Sequence, residues 1–267
     1  MKQLEQATII THDQIDPTIY AMVLKAPQIA ASARPGQFVM VYLNKGAHLL
    51  PRPISLCDAD KTTGTITLVY VTVGAGTQIM SRWPSGHAVQ LLGPLGNGFT
   101  FDHLPANSSK TAALAGGGLG VPPLLFLLKQ LTQAGITADV YLGFKEKSAR
   151  ADYFTPITPR LHIATDDGSA GHKGTVIDLI KNTSAIYSTI FSCGPIQMLK
   201  ALSSYAHDNN TLCQISVEER MACGIGACKG CVVKTFVGYK LCCADGPVFD
   251  SCQIVAQNDV QRPSRLL

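Results

Sequence analysis

The sequence carries little charge for its length. Only 15% of the 267 residues are charged and 46% are hydrophobic, whereas roughly 25% of an average soluble domain is charged. The formal net charge of +4 is spread along the chain without basic blocks. This pattern argues against nucleic-acid binding and against binding to an anionic membrane surface. It predicts a chain with much buried or partner-covered surface.

Two targeting features are also missing from the sequence. No apolar run approaches the ~20 residues that a membrane-spanning helix needs. The first ten residues, MKQLEQATII, lack the apolar core and the cleavage site of a signal peptide. We therefore expect a cytoplasmic protein with no membrane contact. In that reducing compartment the nine cysteines predict metal or redox chemistry, because their number is odd and most of them cluster near the end of the sequence.

The sequence contains no obvious candidates for acid–base catalysis. The seven histidines are scattered without ligand or triad spacing, and the adjacent carboxylates Asp166–Asp167 and Glu218–Glu219 occupy strand or loop positions that make poor acid/base pairs. We assign no catalytic residue.

The cysteine cluster has a recognisable spacing. Cys223, Cys228 and Cys231 follow C-x4-C-x2-C, the pattern of plant-type [2Fe–2S] ferredoxins, in which a fourth thiolate comes from further along the chain. Structural zinc is the rival interpretation, but zinc sites typically pair their ligands as C-x2–4-C twice. The fourth ligand is Cys242 or Cys243, and spacing alone does not choose between them.

The rest of the sequence divides into two patterns. Residues from about 4 to 100 read as short strands punctuated by proline and glycine, which predicts an antiparallel β-barrel. After residue 110 apolar strands alternate with helices, which predicts an α/β domain with a mostly parallel sheet. We therefore expect a multi-domain β plus α/β protein with domains at 1–104, 105–212 and 213–267, the last a small cluster-binding domain.

Two motifs in the predicted barrel are candidates for binding a phosphate-containing cofactor. Arg52, Pro53, Ile54 and Ser55 are expected to form a turn after a strand. The run 74–77, Gly-Ala-Gly-Thr, is expected to open a short helix with its threonine as N-cap, and a helix start offers N–H groups to a pyrophosphate. Ordinary turns explain each motif about as well when it is taken alone.

The predicted α/β domain contains two further candidate motifs. Gly116, Gly117, Gly118 and Gly120 lie between a strand and a helix, where a loop could hold phosphates, although the full G-x-G-x-x-G fingerprint is absent. Tight packing of strand on helix is the alternative. A second turn, consisting of Cys193, Gly194 and Pro195, ends a later strand at the same sheet edge, where open α/β folds bind ligands.

Taken together, these motifs resemble the ferredoxin–NADP reductase superfamily, in which a flavin-binding barrel precedes a nicotinamide-nucleotide domain. The runs EERMACGIGACKGCV and CADGPVF narrow the resemblance to electron-transfer subunits of NAD-dependent (type 1B) dihydroorotate dehydrogenases. The resemblance implies that Cys243 completes the cluster. It also implies that FAD is bound by Arg52, Pro53, Ile54, Ser55, Val69, Tyr70, Val71, Gly76 and Thr77.

The same resemblance implies a function. Electrons would pass from an FMN-containing (β/α)8 subunit that oxidises dihydroorotate, through the [2Fe–2S] cluster and FAD, to NAD+ in pyrimidine biosynthesis. The complex would be a heterotetramer with two of each subunit.

Two alternatives stay open from the residues alone. One is an NAD(P)H reductase subunit serving a hydrogenase, transhydrogenase or oxygenase, and the other is a non-enzymatic nucleotide-binding module with structural zinc. NAD and NADP are not distinguished, because the basic run KEKSAR could bind a 2′-phosphate or face solvent.

Overall fold

The computed structural model describes residues 2–43, 49–106, 111–183 and 185–254. These residues form a closed barrel, a seven-stranded sheet and a two-stranded hairpin. The strands are β1 (Gln3–Asp16), β2 (Ile19–Lys25), β3 (Phe38–Val41), β4 (Arg52–Asp60), β5 (Thr65–Val71), β6 (Ala88–Leu95), β7 (Thr111–Gly117), β8 (Ala138–Phe144), β9 (Leu161–Thr165), β10 (His172–Lys173), β11 (Tyr187–Cys193), β12 (Leu212–Ser216), β13 (Val232–Thr235), β14 (Gly238–Leu241) and β15 (Val248–Asp250). The α-helices are α1 (Pro27–Ser32), α2 (Ala75–Met80), α3 (Val121–Gln133), α4 (Val176–Lys181) and α5 (Ile196–Asp208).

The barrel closes in the order β1-β2-β5-β4-β3-β6, and all of its strand pairs are antiparallel. Successive side chains of a strand point to opposite faces, so one residue in two can enter the interior. Met22, Leu24, Leu56 and Leu68 are among the fully buried side chains that fill it. The predicted antiparallel barrel is confirmed.

The structure corrects the position of the Arg-Pro-Ile-Ser motif. Residues 52–55 are not in a turn but form the first half of β4, with Arg52 opposite Val41 and Ser55 opposite Phe38 on β3. On its other side, β4 pairs with β5 only from Leu56 onward. The first half of β4 is therefore a free edge, where the missing N–H of a proline breaks no ladder hydrogen bond. The closed barrel therefore has a local gap in strand pairing between residues 52–55 and the end of β5.

The second sheet has the order β10-β9-β8-β7-β11-β12-β15 and is parallel except for β15, which runs antiparallel to β12. Helix α3 covers one face through Leu124 and Leu127. Helices α4 and α5 cover the other face through Val176 and Leu199. The predicted α/β architecture is confirmed. The carboxyl ends of β7, β11 and β12 lie at one sheet edge, where such folds bind ligands.

The cysteine-rich region, which lies between β12 and β15, is connected to both the barrel and the seven-stranded sheet. After β12 the chain passes through the cysteine loop and the β13–β14 hairpin, then returns to the sheet as β15. Cys231, Cys242 and Cys243 are buried in the same apolar cluster as Met40 and Leu95 of the barrel. The domain boundaries at 104/105 and 212/213 remain predictions, and the pairing of β12 with β11 favours keeping all of β12 in the α/β domain.

No helix among the described residues is both long and apolar enough to cross a membrane.

Candidate cofactor sites

The open end of the barrel holds a cavity of about 310 Å³, here called the flavin cavity. Eight of the nine residues predicted to bind FAD line it, namely Arg52, Pro53, Ile54, Ser55, Val69, Tyr70, Val71 and Thr77. Its other wall comes from the α/β domain and the cysteine-rich region, and includes Cys193, Val217, Met221 and Pro247. The cavity therefore lies where all three parts of the chain meet.

The ninth predicted residue, Gly76, brings the two barrel motifs together. A Cβ atom at Gly76 would lie 2.3 Å from Nε of Arg52 and 2.6 Å from its guanidinium carbon, so a larger residue would displace the end of the Arg52 side chain from this position. The Arg52 guanidinium also donates a hydrogen bond to the Leu50 carbonyl at 2.8 Å. A fixed cation beside the first turn of α2 fits a phosphate-containing cofactor.

The role expected for Thr77 is corrected in one respect. The N-cap of α2 is Gly74, and Thr77 is the third residue of the helix. Its hydroxyl accepts hydrogen bonds from the N–H groups of Val73 at 3.0 Å and Gly74 at 3.3 Å, and it donates to the Gly74 carbonyl at 3.1 Å. Thr77 therefore stabilises the turn that leads into α2, but it is not the N-cap that the sequence predicted.

Tyr70 differs from its neighbours on β5. Val69 and Val71 are half-buried, whereas Tyr70 is buried, as expected for alternate faces of a strand. The Tyr70 ring stacks on Tyr20, and its hydroxyl lies 2.8 Å from Nε2 of His12. The other nitrogen of His12, Nδ1, lies 2.8 Å from the Trp83 carbonyl oxygen, so the imidazole joins Tyr70 to the backbone. The Tyr70 hydroxyl is therefore engaged within the barrel.

A second cavity, of about 750 Å³, lies at the carboxyl ends of β7, β11 and β12 and is here called the nucleotide cavity. Of the residues predicted to bind the nicotinamide nucleotide, Gly117, Gly120, Gly194 and Pro195 line it. Cys193 lines the flavin cavity instead. The two cavities share Leu119, Val217, Glu218 and Glu219, so they are adjacent.

The glycines at the end of β7 and before α3 have different surroundings. A Cβ at Gly116 would lie 2.9 Å from Leu124 of α3, and one at Gly117 would lie 2.8 Å from the sulfur of Met198 in α5. A Cβ at Gly120 would lie 2.2 Å from the backbone carbonyl of Cys193. These three positions therefore serve close packing, the alternative that the sequence left open.

Gly118 is the member of the loop with open space beside it, and it lines neither of the two cavities itself. It has a φ of +56°, and a Cβ there would meet nothing within 4 Å. The half-buried Arg150 guanidinium donates to its carbonyl oxygen at 2.5 Å and lies 5.0 Å from the Phe144 ring centroid. Arg150 comes from the basic run in which the sequence suggested a 2′-phosphate site. In this structure its side chain holds the glycine loop.

Cys223, Cys228, Cys231 and Cys243 are linked by N–H···S hydrogen bonds. Gly226 donates to Sγ of Cys243 at 3.1 Å, Cys228 donates to Sγ of Cys223 at 3.4 Å, and Cys243 donates to Sγ of Cys231 at 3.4 Å. Backbone donors aimed at cysteine sulfurs fit the thiolates of an iron–sulfur cluster, because such bonds tune its potential.

Cys242 faces a different partner. Its Sγ lies 3.3 Å from the Val217 carbonyl, on the flavin side of the loop, and the side chain is fully buried. The thiol of Cys243, in contrast, accepts from the loop that carries Cys223 and Cys228. The geometry supports Cys243 as the fourth ligand.

The protonation of these thiols follows from their surroundings. Desolvation raises the pKa of Cys223, but the N–H groups of Cys228 and Ile225 outweigh it and lower the pKa to about 6. Burial, together with the hydrogen bond that the protonated Cys243 thiol donates to Cys231, raises the pKa of Cys243 to about 12. Ligands must be deprotonated to bind metal, so cluster insertion releases protons here. Among the described residues, no three His, Cys, Asp or Glu side chains are arranged to hold a single metal ion.

Several wall residues escaped the sequence analysis. Phe38, Ser216 and Met221 line the flavin cavity, and Glu218 and Glu219 line both cavities. The only sequence signal for these residues is their position near the cysteine motif or in β3. Which loop residues line a cavity becomes evident only in the folded chain.

Comparison with known proteins agrees with a flavin site and an iron–sulfur site in this chain. Residues 2–100 match a family described as "Oxidoreductase FAD-binding domain". Residues 218–255 match the "Iron-sulfur cluster binding domain of dihydroorotate dehydrogenase B". These matches confirm FAD and an iron–sulfur cluster as cofactors, and they do not support the zinc-containing module.

Curated relatives match over nearly the whole chain. The electron transfer subunit of dihydroorotate dehydrogenase B (NAD(+)) from Geobacillus sp. (strain WCH70) is 41% identical over 261 residues, 96% of this chain and 99% of the relative. Its counterpart from Fusobacterium nucleatum is 39% identical over 256 residues, 92% of this chain and 96% of the relative.

Solved structures share the fold. The structure of an NADH-dependent reduced ferredoxin-NADP oxidoreductase is similar with a TM-score of 0.83 and 27% identity, covering 94% of this chain and 90% of that one. A ferredoxin NADP+ reductase from Neisseria gonorrhoeae with bound FAD and NADP has a TM-score of 0.62 and 17% identity, covering 77% and 91%.

The fold and the two sites define a flavin- and iron–sulfur-containing oxidoreductase of the ferredoxin–NADP reductase type. The chain belongs to the family of electron transfer subunits of dihydroorotate dehydrogenase B (NAD(+)).

The glycine loop gives a first prediction. Gly118→Ala costs about 1–2 kcal/mol of stability because of its left-handed backbone, and it weakens NADH binding. Gly86→Ala is the matched control, since Gly86 has a φ of +84° and also has open space around it. It should cost similar stability and leave NADH affinity unchanged. Thermal unfolding and NADH titration measure both. Equal NADH affinity in the two variants would contradict the assignment of Gly118.

The cysteines give a second prediction. Cys243→Ser should lose the cluster, seen as loss of visible absorbance, of the electron paramagnetic resonance signal of the reduced protein, and of iron and sulfide. Cys242→Ser, its direct neighbour, should keep all four because its side chain points toward Val217. The reverse outcome would make Cys242 the ligand.

Proposed function

We propose that this chain carries electrons from a partner subunit that oxidises dihydroorotate, through a [2Fe–2S] cluster and FAD, to NAD+. The observation that carries the proposal is the position of the flavin cavity. It shares four residues with the nucleotide cavity, and its wall contains Met221, two residues before Cys223, and Pro247, four residues after Cys243.

When bound, FAD exchanges electron pairs with nicotinamide and single electrons with a cluster, so the chemistry belongs to the cofactors. The protein's own residues bind and orient. Arg52 provides a cation that lines the flavin cavity beside the start of α2, and Val69 and Val71 provide an apolar wall. Gly117 and Gly120 line the adjacent nucleotide cavity, and Gly118 between them has open space beside its backbone. No side chain needs to move a proton in this account.

The cluster ligands are Cys223, Cys228, Cys231 and Cys243 in this proposal. Their N–H donors support negative charge on the sulfurs. Cys228 is exposed, whereas Cys231 and Cys243 are buried. The cluster would therefore have one side toward the protein interior, where the flavin cavity lies, and one side toward the surface.

An exposed apolar hairpin adjoins these ligands. The hairpin leaves Cys231 and returns to Cys242, and its tip exposes Phe236 by 71%, Val237 by 78% and Tyr239 by 75%. Soluble monomers rarely expose such groups together, so the patch fits a surface covered by another subunit. We propose that the partner is an FMN-containing (β/α)8 subunit, with two copies of each chain in a cytoplasmic heterotetramer.

One alternative has its own support. The similarity to the NADH-dependent reduced ferredoxin-NADP oxidoreductase structure, at 27% identity, leaves a reductase subunit with a different partner as the second candidate. The curated relatives at about 40% identity favour the first. Because the cofactors are the same in both cases, the partner discriminates between them.

The division of labour gives a third prediction. The purified chain, loaded with FAD and cluster, should oxidise NADH with an artificial acceptor and should not oxidise dihydroorotate. Adding the partner subunit should produce dihydroorotate-dependent reduction of NAD+, and Cys243→Ser should abolish that coupled reaction while NADH oxidation by artificial acceptors remains. Dihydroorotate turnover by the chain alone would contradict the proposal, and failure with the partner would favour the alternative.

A further inference from the structure

A barrel corner directly after β6 contacts the cysteine-rich region. β6 ends at Leu95, and Gly96 turns the chain with a φ of +76° so that Asn97 meets the segment 244–248. This corner joins two parts of the chain that lie almost 150 residues apart.

Asn97 forms hydrogen bonds to the segment 244–248 through both its side-chain amide and its backbone. Its side-chain Nδ2 donates to the carbonyl of Asp245 at 2.9 Å and to that of Ala244 at 3.3 Å. Its backbone N–H donates to the Gly246 carbonyl, and its backbone carbonyl accepts from Val248 at 3.3 Å. Four hydrogen bonds thus fix 244–248 on one residue of the barrel.

The segment held by Asn97 also touches both cofactor sites. It begins immediately after the cluster ligand Cys243. Pro247 lines the flavin cavity and accepts a hydrogen bond from Val217, another residue of that wall, at 2.9 Å. The segment then enters the sheet as β15. A shift of these five residues would move a cluster ligand and a flavin contact together.

Close packing prevents such a shift while the corner is intact. A Cβ at Gly96 would lie 2.5 Å from Cδ of Pro247 and 2.7 Å from the Gly246 carbonyl oxygen. Another turn of the barrel packs on the end of the segment, because a Cβ at Gly36 would lie 2.8 Å from Val248. The segment is therefore held by the barrel on two sides.

We propose that Asn97 is a positioning residue that couples the two cofactors: it holds 244–248 on the barrel, so that flavin occupancy slows loss of the cluster. The inference rests on Cys243 being a cluster ligand. Where the slower loss reflects tighter binding of the cluster, thermodynamic linkage makes the coupling reciprocal, and the cluster also strengthens FAD binding. Neither effect requires Asn97 to touch a cofactor.

The test measures cluster loss and does not measure turnover. The full chain, with cluster and with or without FAD, is mixed with an iron chelator, and the visible absorbance of the cluster is followed. With FAD bound, Asn97→Ala should lose its cluster about two- to tenfold faster than the unmodified chain, the range expected for removing one or two exposed hydrogen bonds. Removing FAD should accelerate loss from the unmodified chain.

The decisive quantity is the interaction between the two changes. Removing FAD should accelerate cluster loss in Asn97→Ala by a clearly smaller factor than in the unmodified chain, because the connection is already broken. Equal acceleration in both proteins would overturn the coupling, and so would an unchanged rate in Asn97→Ala with FAD bound.

Controls separate this role from general destabilisation. Asn209→Ala removes an exposed asparagine whose side chain donates to Tyr205 at the end of α5, and it should leave cluster loss unchanged. If Asn97→Ala does not fold, Asn97→Asp keeps the size and removes the donor, and the same comparison applies. Hydrogen exchange of Val248 should rise in Asn97→Ala even in cluster-free protein. A cluster retained by Cys243→Ser would refute the ligand assignment separately.

Discussion

The structure depends on one constraint: the chain contacts the flavin cavity on both sides of the segment that carries the proposed cluster ligands. Five residues before Cys223 and one residue after Cys243 line the cavity, namely Ser216, Val217, Glu218, Glu219, Met221 and Pro247. The distance between flavin and cluster is therefore set by the short chain segments that join the cavity wall to the cysteines and by a few contacts of these segments. Electron transfer between fixed cofactors needs such a fixed distance, which loosely tethered domains do not provide.

This constraint explains why the cysteine-rich region is not an independent appendage. A loop of this size has too little apolar surface for a core of its own, so its buried cysteines join the cluster that contains Met40 and Leu95 of the barrel. A Cβ at Gly224 would lie 2.5 Å from Met40, which brings the cysteine loop directly onto β3. The last strand, β15, completes the connection through the sheet.

Sequence reasoning found the features that are periodic or closely spaced. Strand alternation predicted the barrel, the change of period predicted the parallel sheet, and C-x4-C-x2-C predicted the cluster. It missed what depends on contacts between distant residues. The strand assignment of Arg52 follows from pairing with β3, β15 is too short to show a pattern, and the glycines at 116, 117 and 120 serve packing that only the folded chain reveals. The direction of the Cys242 side chain is equally invisible in the sequence.

The central claim is that electrons pass between cluster, flavin and nicotinamide within this chain. It is tested most directly by reducing the fully loaded protein anaerobically, removing the reductant and adding NAD+. Absorbance measures NADH formed, and electron paramagnetic resonance measures the reduced cluster. The account predicts that NADH appears while the cluster signal disappears, and that the electrons lost by the flavin and the cluster together equal those gained by NAD+. NADH formation with the cluster signal unchanged would contradict it.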